Sequence, residues 1–157
     1  MVRLRRYNVE NLAYLVTTST FLNRPTLLTN QRAETVADFV YRARPKFIQY
    51  LLAFAIMPNH LHLLFVPQSG VTISQTLYYI KRGSARIIQS QEETKGRFWT
   101  RRFHDRGVRT EEQLRKSIEY IHNNPVKAGM VSQAEEYLYS SANSRWKTDM
   151  DSYLVPR

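Results

Sequence analysis

The side chains most suited to chemistry in this sequence are two histidines separated by a single residue, His60 and His62. They lie at the start of an apolar run, and residues two apart in a β-strand point to the same side of the sheet. Two imidazoles held side by side on one strand can bind a metal ion through their ring nitrogens. The spacing therefore predicts a metal site, and a hydrogen-bonded structural pair is the alternative.

A second candidate group is Tyr120, followed four residues later by Asn124. Residues four apart are neighbours on a helix surface if the last helical turn includes both. A phenol can attack the phosphorus of a phosphodiester and become covalently joined to it, and a metal ion on the two histidines can polarise the same group as a Lewis acid. Because a phenol, with a pKa of about 10, is also a fair leaving group, the linkage would be reversible.

Other side chains compete for these roles. His104 is either a third metal ligand or an ordinary surface histidine, and His122 is interpreted as structural or DNA-facing. Tyr120 is favoured as the nucleophile because of its register with Asn124. Four further tyrosines remain as alternatives, two in an earlier helix and two in the C-terminal tail: Tyr78, Tyr79, Tyr137 and Tyr139.

The histidine pair belongs to a predicted β-hairpin at the centre of the fold. Two apolar runs, 50–56 and 61–66, flank the dipeptide Pro58-Asn59, which is typical of a turn. Apolar runs of this length suit strands that are covered on both faces. The hairpin would hold the histidines on a rigid, buried element.

The remaining elements follow from cap residues and apolar spacing. Thr72 and Thr110 are candidate helix caps, and the last helix is expected to end near Asn123 because Asn124 precedes Pro125. The predicted order is strand 14–20, helix 30–44, strands 50–56 and 61–66, helix 72–90, strand 105–108 and helix 110–123.

This order of elements predicts an α+β fold, a ferredoxin-like sandwich. Its central antiparallel sheet would have about four or five strands, with helices packed mainly on one face. Residues 1–157 would form a single domain with a C-terminal tail from about residue 130.

Composition limits the class of protein and of partner. The chain has 157 residues, no cysteine and a formal net charge of +10. The lack of cysteine excludes disulfides and cysteine metal clusters and favours a cytoplasmic protein. No apolar run has the length of a membrane span, and no secretory signal follows the basic start. The charge predicts a polyanionic partner, with nucleic acid ahead of an acidic membrane surface.

One segment concentrates the features of a nucleic-acid contact. Residues 97–109 hold five arginines and three aromatic residues, and single strands are bound by basic grooves with rings beneath the bases. The alternative is that the aromatic rings anchor the segment to the core. The expected DNA contacts here, at the N-terminus and on the second helix are Arg3, Arg5, Arg6, Lys81, Arg82, Arg97, Trp99, Arg101, Arg102 and Arg106.

Four motifs occur together in one order along the chain: MPNHLHLL at 57–64, GRFW at 96–99, YIHNNPVKAG at 120–129 and YSS at 139–141. In this combination the sequence resembles the single-tyrosine HUH transposases, and especially the REP-associated tyrosine transposases. The resemblance covers nearly the whole chain.

The resemblance implies a specific chemistry. His60, His62 and Asn124 would hold a divalent metal, Mg²⁺ or Mn²⁺, and two imidazoles suit Mn²⁺ at least as well as Mg²⁺. Tyr120 would form a 5′-phosphotyrosine bond and leave a free 3′-OH. The substrate would be single-stranded DNA with a hairpin formed by an imperfect palindrome, processed without ATP by a monomer or homodimer in a bacterial cytoplasm, at the nucleoid rather than a membrane.

Two other functions account for part of the sequence. A non-catalytic nucleic-acid-binding domain, such as a domesticated transposase, explains the charge and aromatic residues but leaves the histidine pair without a role. A metal hydrolase acting on small phosphates explains the histidines but not the arginine-rich segment. Metal-dependent nicking of a single strand would separate the first of these from a transposase.

Overall fold

Two long apolar strands joined by a tight turn form the centre of the computed structural model, which describes residues 11–154. Strands β2 (Ile48–Met57) and β3 (His60–Pro67) pair antiparallel, as the hairpin prediction requires. Strand β1 (Ala13–Ser19) pairs with the other edge of β3, and β4 (His104–Val108) pairs with β1. The result is a four-stranded antiparallel sheet in the order β2-β3-β1-β4.

Three long helices cover the sheet, and each begins at a threonine cap. Helix α1 (Asn30–Arg42) follows Thr29, α2 (Ile73–Glu92) follows Thr72, and α3 (Glu111–Lys127) follows Thr110. In each case the threonine hydroxyl accepts a hydrogen bond from the backbone N–H three residues later, which satisfies a donor that the helix leaves unpaired. A short helix, α4 (Met150–Leu154), completes the described chain. The predicted α+β class is confirmed.

The helices divide between the two faces of the sheet. Helices α1 and α2 pack on the side chains of Val16, Leu63 and Phe65, and we call this side the α1/α2 face. Helix α3 packs on the opposite side, the α3 face, over Ala53 and Ala55 of β2. Two of the three long helices therefore share one face, as expected, and α3 covers the other. Alternate residues of the central strands are apolar on both sides, so both sides need a cover.

Helix α3 extends further than its sequence predicts. It continues to Lys127 with Pro125 inside its last turn, whereas the predicted end was near Asn123. The proline ring removes only one backbone donor there, and the carbonyl of Pro125 accepts from Met130 N at 3.0 Å. Gly129, with φ of 71°, then ends the helix in the left-handed conformation. The extra turn keeps Asn124 in helical register with Tyr120.

The tail after α3 covers the free edge of β2. Ser140 forms an isolated bridge with Ala55, and Ile56 N donates to the carbonyl of Tyr139 at 2.8 Å. Further along, Asp149 N donates to the carbonyl of Leu51 at 2.7 Å. These bonds pair backbone groups that would otherwise leave an open sheet edge. Among residues 11–154, none of the helices is long and apolar enough to cross a membrane.

Candidate active site

The two histidines face α3 and bring their Nε2 atoms together. Register places both on the α3 face of β3, where His62 is only 2% exposed. The ring centroids are 4.6 Å apart with the ring planes at 80°, and the two Nε2 atoms are 3.1 Å apart. The predicted pair thus forms, and it points toward one shared position.

Each imidazole is oriented by a hydrogen bond at its other nitrogen. His60 Nδ1 lies 2.6 Å from Asn59 Oδ1, and His62 Nδ1 lies 2.8 Å from Thr17 Oγ1. Asn59 Oδ1 accepts from His60 Nδ1–H, which leaves His60 Nε2 with its lone pair. The Thr17 hydroxyl can do the same for His62. Such partners fix the tautomer and the direction of a metal-binding histidine.

Both imidazoles are held in the neutral form that binds metals. Burial lowers the pKa of His60, against a smaller opposing effect of the Asn124 side chain, whose oxygen favours the charged imidazole. Burial, together with the neighbouring His60, lowers the pKa of His62 to about 3. Because the charged form is disfavoured in each case, the ring nitrogens stay available as donors to a cation at neutral pH.

Asn124 adds an oxygen to the pair. Its Oδ1 lies 3.3 Å from His60 Nε2, across the gap between α3 and the sheet. Adjacent ligands of an ion with bonds of about 2.1 Å are about 3 Å apart in octahedral geometry. The distances from His60 Nε2 to His62 Nε2 and to Asn124 Oδ1 suit neighbouring ligands of one divalent ion. Within residues 11–154 no group of three or more histidine, cysteine or acidic side chains could hold a metal. The candidate set is therefore two nitrogens and an amide oxygen.

Tyr120 is the tyrosine that faces this group. Its ring centroid is 5.2 Å from that of His62, and its side chain is 46% exposed, so substrate can reach the hydroxyl. It lies one helical turn before Asn124 on α3. The four predicted groups, His60, His62, Tyr120 and Asn124, are thus brought together by β3 and α3.

The competing tyrosines are placed elsewhere. Tyr78 lies on α2, across the sheet from the histidines, and Tyr139 is buried. Tyr137 donates its hydroxyl to the carbonyl of Ile56 at 2.7 Å, and burial, with a smaller effect of Tyr139, raises its pKa to about 12. A phenol held protonated in this way is a poor nucleophile.

The position of α3 is fixed on both of its sides. Leu114 and Ile121 are buried against the sheet. On another side of the helix, His122 Nε2 lies 2.8 Å from Ser141 Oγ in the tail, and burial lowers the pKa of His122. His122 is therefore structural, one of the two interpretations that the sequence left open.

His104 does not join the metal group. Thr17 pairs with His62 on one side and with His104 on the other, so two strand spacings, about 10 Å, separate the histidines. The alternative of His104 as a third ligand is wrong, because β1 lies between β3 and β4.

The expected DNA contacts fall into three groups. Arg97, Arg101, Arg102 and Arg106 are exposed, with Arg106 on the α3 face of β4. Lys81 and Arg82 lie on α2 across the sheet, where Lys81 Nζ donates to the carbonyl of Thr100 at 2.5 Å and Arg82 stacks on Tyr78. The N-terminal residues Arg3, Arg5 and Arg6 lie outside the described residues.

Trp99 requires a correction. Its side chain is 6% exposed, and its indole N–H donates to Ser84 Oγ at 3.1 Å. A buried ring with a satisfied polar edge is a core residue, so Trp99 is not a platform for a DNA base. The sequence showed an aromatic residue among arginines but not the partner on α2 that buries it.

Thr17 and Asn59 were missed by sequence reasoning. Asn59 directly precedes the first histidine, and Thr17 belongs to a threonine-rich strand. Asn59 is readable as a possible partner of His60 because it adjoins the histidine in the turn. The role of Thr17 depends on strand pairing, which brings it to His62, 45 positions away, and local sequence does not show that pairing.

Comparison with known proteins shows the family to which the chain belongs. The family model described as "Transposase IS200 like" matches residues 8–124. The REP-associated tyrosine transposase of Escherichia coli K12 is 26% identical over 144 residues, covering 90% of this chain and 82% of that protein. A Haemophilus influenzae protein with a provisional description as a REP-associated tyrosine transposase is 28% identical over 109 residues. That match covers 63% of this chain and 62% of the relative, which is less than two thirds of its length.

A solved structure shares the fold. The structure of a REP-associated tyrosine transposase bound to a REP hairpin superimposes with a TM-score of 0.73 at 24% identity, covering 99% of this chain and 89% of the other. The likeness confirms the four-stranded sheet and its helices. The family match spans most of the sequence and includes the histidine pair, Tyr120 and Asn124. This chain therefore belongs to the IS200-like transposase family.

Proposed function

We propose that this protein is a transposase that cleaves single-stranded DNA beside hairpin-forming palindromic elements, through a 5′-phosphotyrosine bond at Tyr120. The observation that carries the proposal is the convergence of an exposed phenol with two neutral imidazoles and an amide oxygen. The hairpin substrate is supported by the REP hairpin bound to the structural relative and by the net charge of +10.

Cleavage and rejoining of the strand both pass through Tyr120. Tyr120 Oη attacks the phosphorus, and its proton leaves to solvent. The bond between phosphorus and the 3′ oxygen breaks, and that oxygen takes up a proton to become a free 3′-OH. Attack by a 3′-OH on the phosphotyrosine reverses the step and rejoins the strand. The number of phosphodiester-type bonds is unchanged, so no nucleotide cofactor is needed.

A divalent cation fits the same site. His60, His62 and Asn124 would hold Mg²⁺ or Mn²⁺, which would supply Lewis-acid polarisation of the phosphodiester. Asn59 and Thr17 keep the two imidazoles aimed at that position. The four site residues meet within one chain, which is compatible with action as a monomer or as a homodimer. A DNA substrate and the absence of cysteine support a cytoplasmic, nucleoid-associated setting.

The proposal is tested by covalent capture. The protein is incubated with Mn²⁺ and a 3′-labelled single strand that carries a palindromic repeat from the neighbourhood of its own gene. We expect a labelled protein–DNA adduct on a denaturing gel. Tyr120→Phe should remove the adduct while leaving hairpin affinity within about twofold, and the matched control Tyr78→Phe should retain it. An adduct that persists in Tyr120→Phe would contradict the proposal, and binding without cleavage by the native protein would favour the non-catalytic alternative.

A further inference from the structure

A cavity lined in part by hydroxyl and guanidinium groups lies beside the histidine pair, at the end of β1. It has a volume of about 390 Å³, and its walls come from β1, the turn that follows it, the segment 97–103 and the start of β4. Its lining residues are Thr17, Ser19, Thr20, Phe21, Leu22, Asn23, Arg97, Thr100, Arg102, Phe103 and His104. None of these is acidic, so the cavity suits a ligand that carries negative charge.

The cavity and the candidate metal site share a wall. Thr17, which lines the cavity, lies 2.8 Å through its Oγ1 from His62 Nδ1. Thr17 also pairs with His104, so the two histidines and the threonine form one row across three neighbouring strands. The cavity is therefore about one strand spacing, or about 5 Å, from His62. A strand whose phosphate reaches Tyr120 has its neighbouring nucleotide within reach of this row.

The walls combine a stacking surface with cations and hydroxyls. The guanidinium of Arg97 lies 5.0 Å from the centroid of the Phe21 ring. Nucleobases stack on aromatic rings and on guanidinium planes, and Arg102 can neutralise an adjoining phosphate. Hydroxyl groups such as those of Ser19 and Thr100 can bond the polar edge of a base.

The cavity is held in shape by backbone hydrogen bonds. Phe21 N donates to the carbonyl of Phe98 at 2.9 Å, and Thr100 N donates to the carbonyl of Ser19 at 3.0 Å. Directly after these bonds the chain turns through Leu22 and Asn23, whose φ values are 57° and 53°. A side chain as large as Leu22 rarely adopts this left-handed conformation, and here it leaves the side chain 64% exposed at the cavity.

We propose that this cavity binds one unpaired nucleotide of the substrate strand, with its base on the Arg97–Phe21 stack and its phosphate at Arg102. The inference rests on the proposed function, since it takes the ligand to be the DNA strand that Tyr120 cleaves. It assigns to the protein a direct contact with a base outside the hairpin, at the position next to the cleaved phosphate.

The test is an abasic scan read by binding rather than by cleavage. Fluorescence anisotropy measures the affinity of the Tyr120→Phe protein for hairpin strands that lack one base at each flanking position in turn. Stacking of one base is worth about five- to a hundredfold in affinity, so we expect a loss of about tenfold at one position beside the cleavage point. Losses of similar size at every position, or at none, would overturn the proposal.

Protein variants show whether the cavity is responsible. In Arg97→Ala, whose side chain is exposed and outside the core, the base-specific loss should fall to less than about threefold. The matched control Arg109→Ala removes one charge beyond the far end of β4 and should keep the full tenfold loss. An undiminished loss in Arg97→Ala would overturn the proposal even if total affinity falls.

The outcome is independent of the covalent chemistry. The capture assay with intact Tyr120 reports the proposed function, and the abasic scan reports the cavity. An adduct without the base-specific loss overturns the cavity and leaves the transposase. A base-specific loss that needs Arg97, without any adduct, supports the cavity and overturns the catalytic role of Tyr120.

Discussion

The two faces of one sheet carry different tasks. The α1/α2 face is covered by two long helices over a continuous apolar cluster that includes Phe54, Leu63 and Phe65. The α3 face is covered mainly by one helix over the small side chains of Ala53 and Ala55. That cover leaves the start of β3 and the end of β1 partly open. The difference teaches that the larger apolar cluster and the candidate site lie on opposite sides of the sheet.

Strand alternation produces this separation. Leu61, Leu63 and Phe65 of β3 point to the α1/α2 face, whereas His60 and His62 point to α3. A shift of the pairing register by one residue would exchange the two sets. The buried leucines therefore hold the histidines on the correct side, and the comparison predicts that variants on the two faces fail in different ways.

The largest effect on stability is expected on the α1/α2 face. Phe54 is fully buried, and its ring packs against Trp146 at 5.4 Å between centroids. Phe54→Ala should lower the free energy of unfolding, measured in urea, by about 3–5 kcal/mol, because it leaves a cavity. The control Leu138→Ala, at a side chain 48% exposed, should change it by less than about 0.5 kcal/mol. Adduct formation per folded Phe54→Ala molecule should be unchanged, and its loss in folded protein would break the comparison.

Metal linkage is the next effect and belongs to the α3 face. Mn²⁺ at about one hundred times its dissociation constant should stabilise the native protein by about 2.7 kcal/mol, because it binds the folded state. The double variant His60→Ala/His62→Ala should show no such gain in thermal unfolding. His104→Ala, which removes a histidine outside the pair, should keep it. Stabilisation of the double variant equal to that of the native protein would place the metal elsewhere.

A smaller effect concerns the exposed arginines next to the site. Replacing Arg101, Arg102 and Arg106 by alanine should weaken hairpin binding and lower the slope of log affinity against log salt by about 2. The figure follows from about 0.7 released counterions per phosphate contact on single strands. A control that removes Arg42 and Lys46, both exposed, should leave the slope unchanged. An unaltered slope in the triple variant would show that this segment does not contact phosphates.

Local sequence predicts most of the elements and which residues form the candidate site. The hairpin strands, the threonine-capped helices and the placement of Tyr120 and Asn124 one turn apart on one helix all follow from local spacing. The position of α3 does not, because apolar residues on both sides of β2 and β3 do not say which helix covers which side. The burial of Trp99 depends on Ser84 of α2, 15 residues away, and cannot be read from its arginine neighbours.

The continuation of α3 through Pro125 was also beyond local rules. The residue before a proline usually avoids the helical region. Here the Pro125 ring is buried in the last turn of α3, and the helix loses only one backbone N–H donor. That turn places Asn124 beside His60. A local preference of this kind is overridden when tertiary packing supplies more stabilisation than the strain costs.

The central claim is that the Tyr120 phenol becomes joined to DNA beside the histidine pair. The most direct measurement is mass spectrometry of the nuclease- and protease-treated adduct formed with Mn²⁺. We expect a nucleotide linked through its 5′-phosphate to the peptide that contains Tyr120, and to no other tyrosine. A phosphodiester link on Tyr78, Tyr137 or any other residue, with Tyr120 unmodified, would contradict the account.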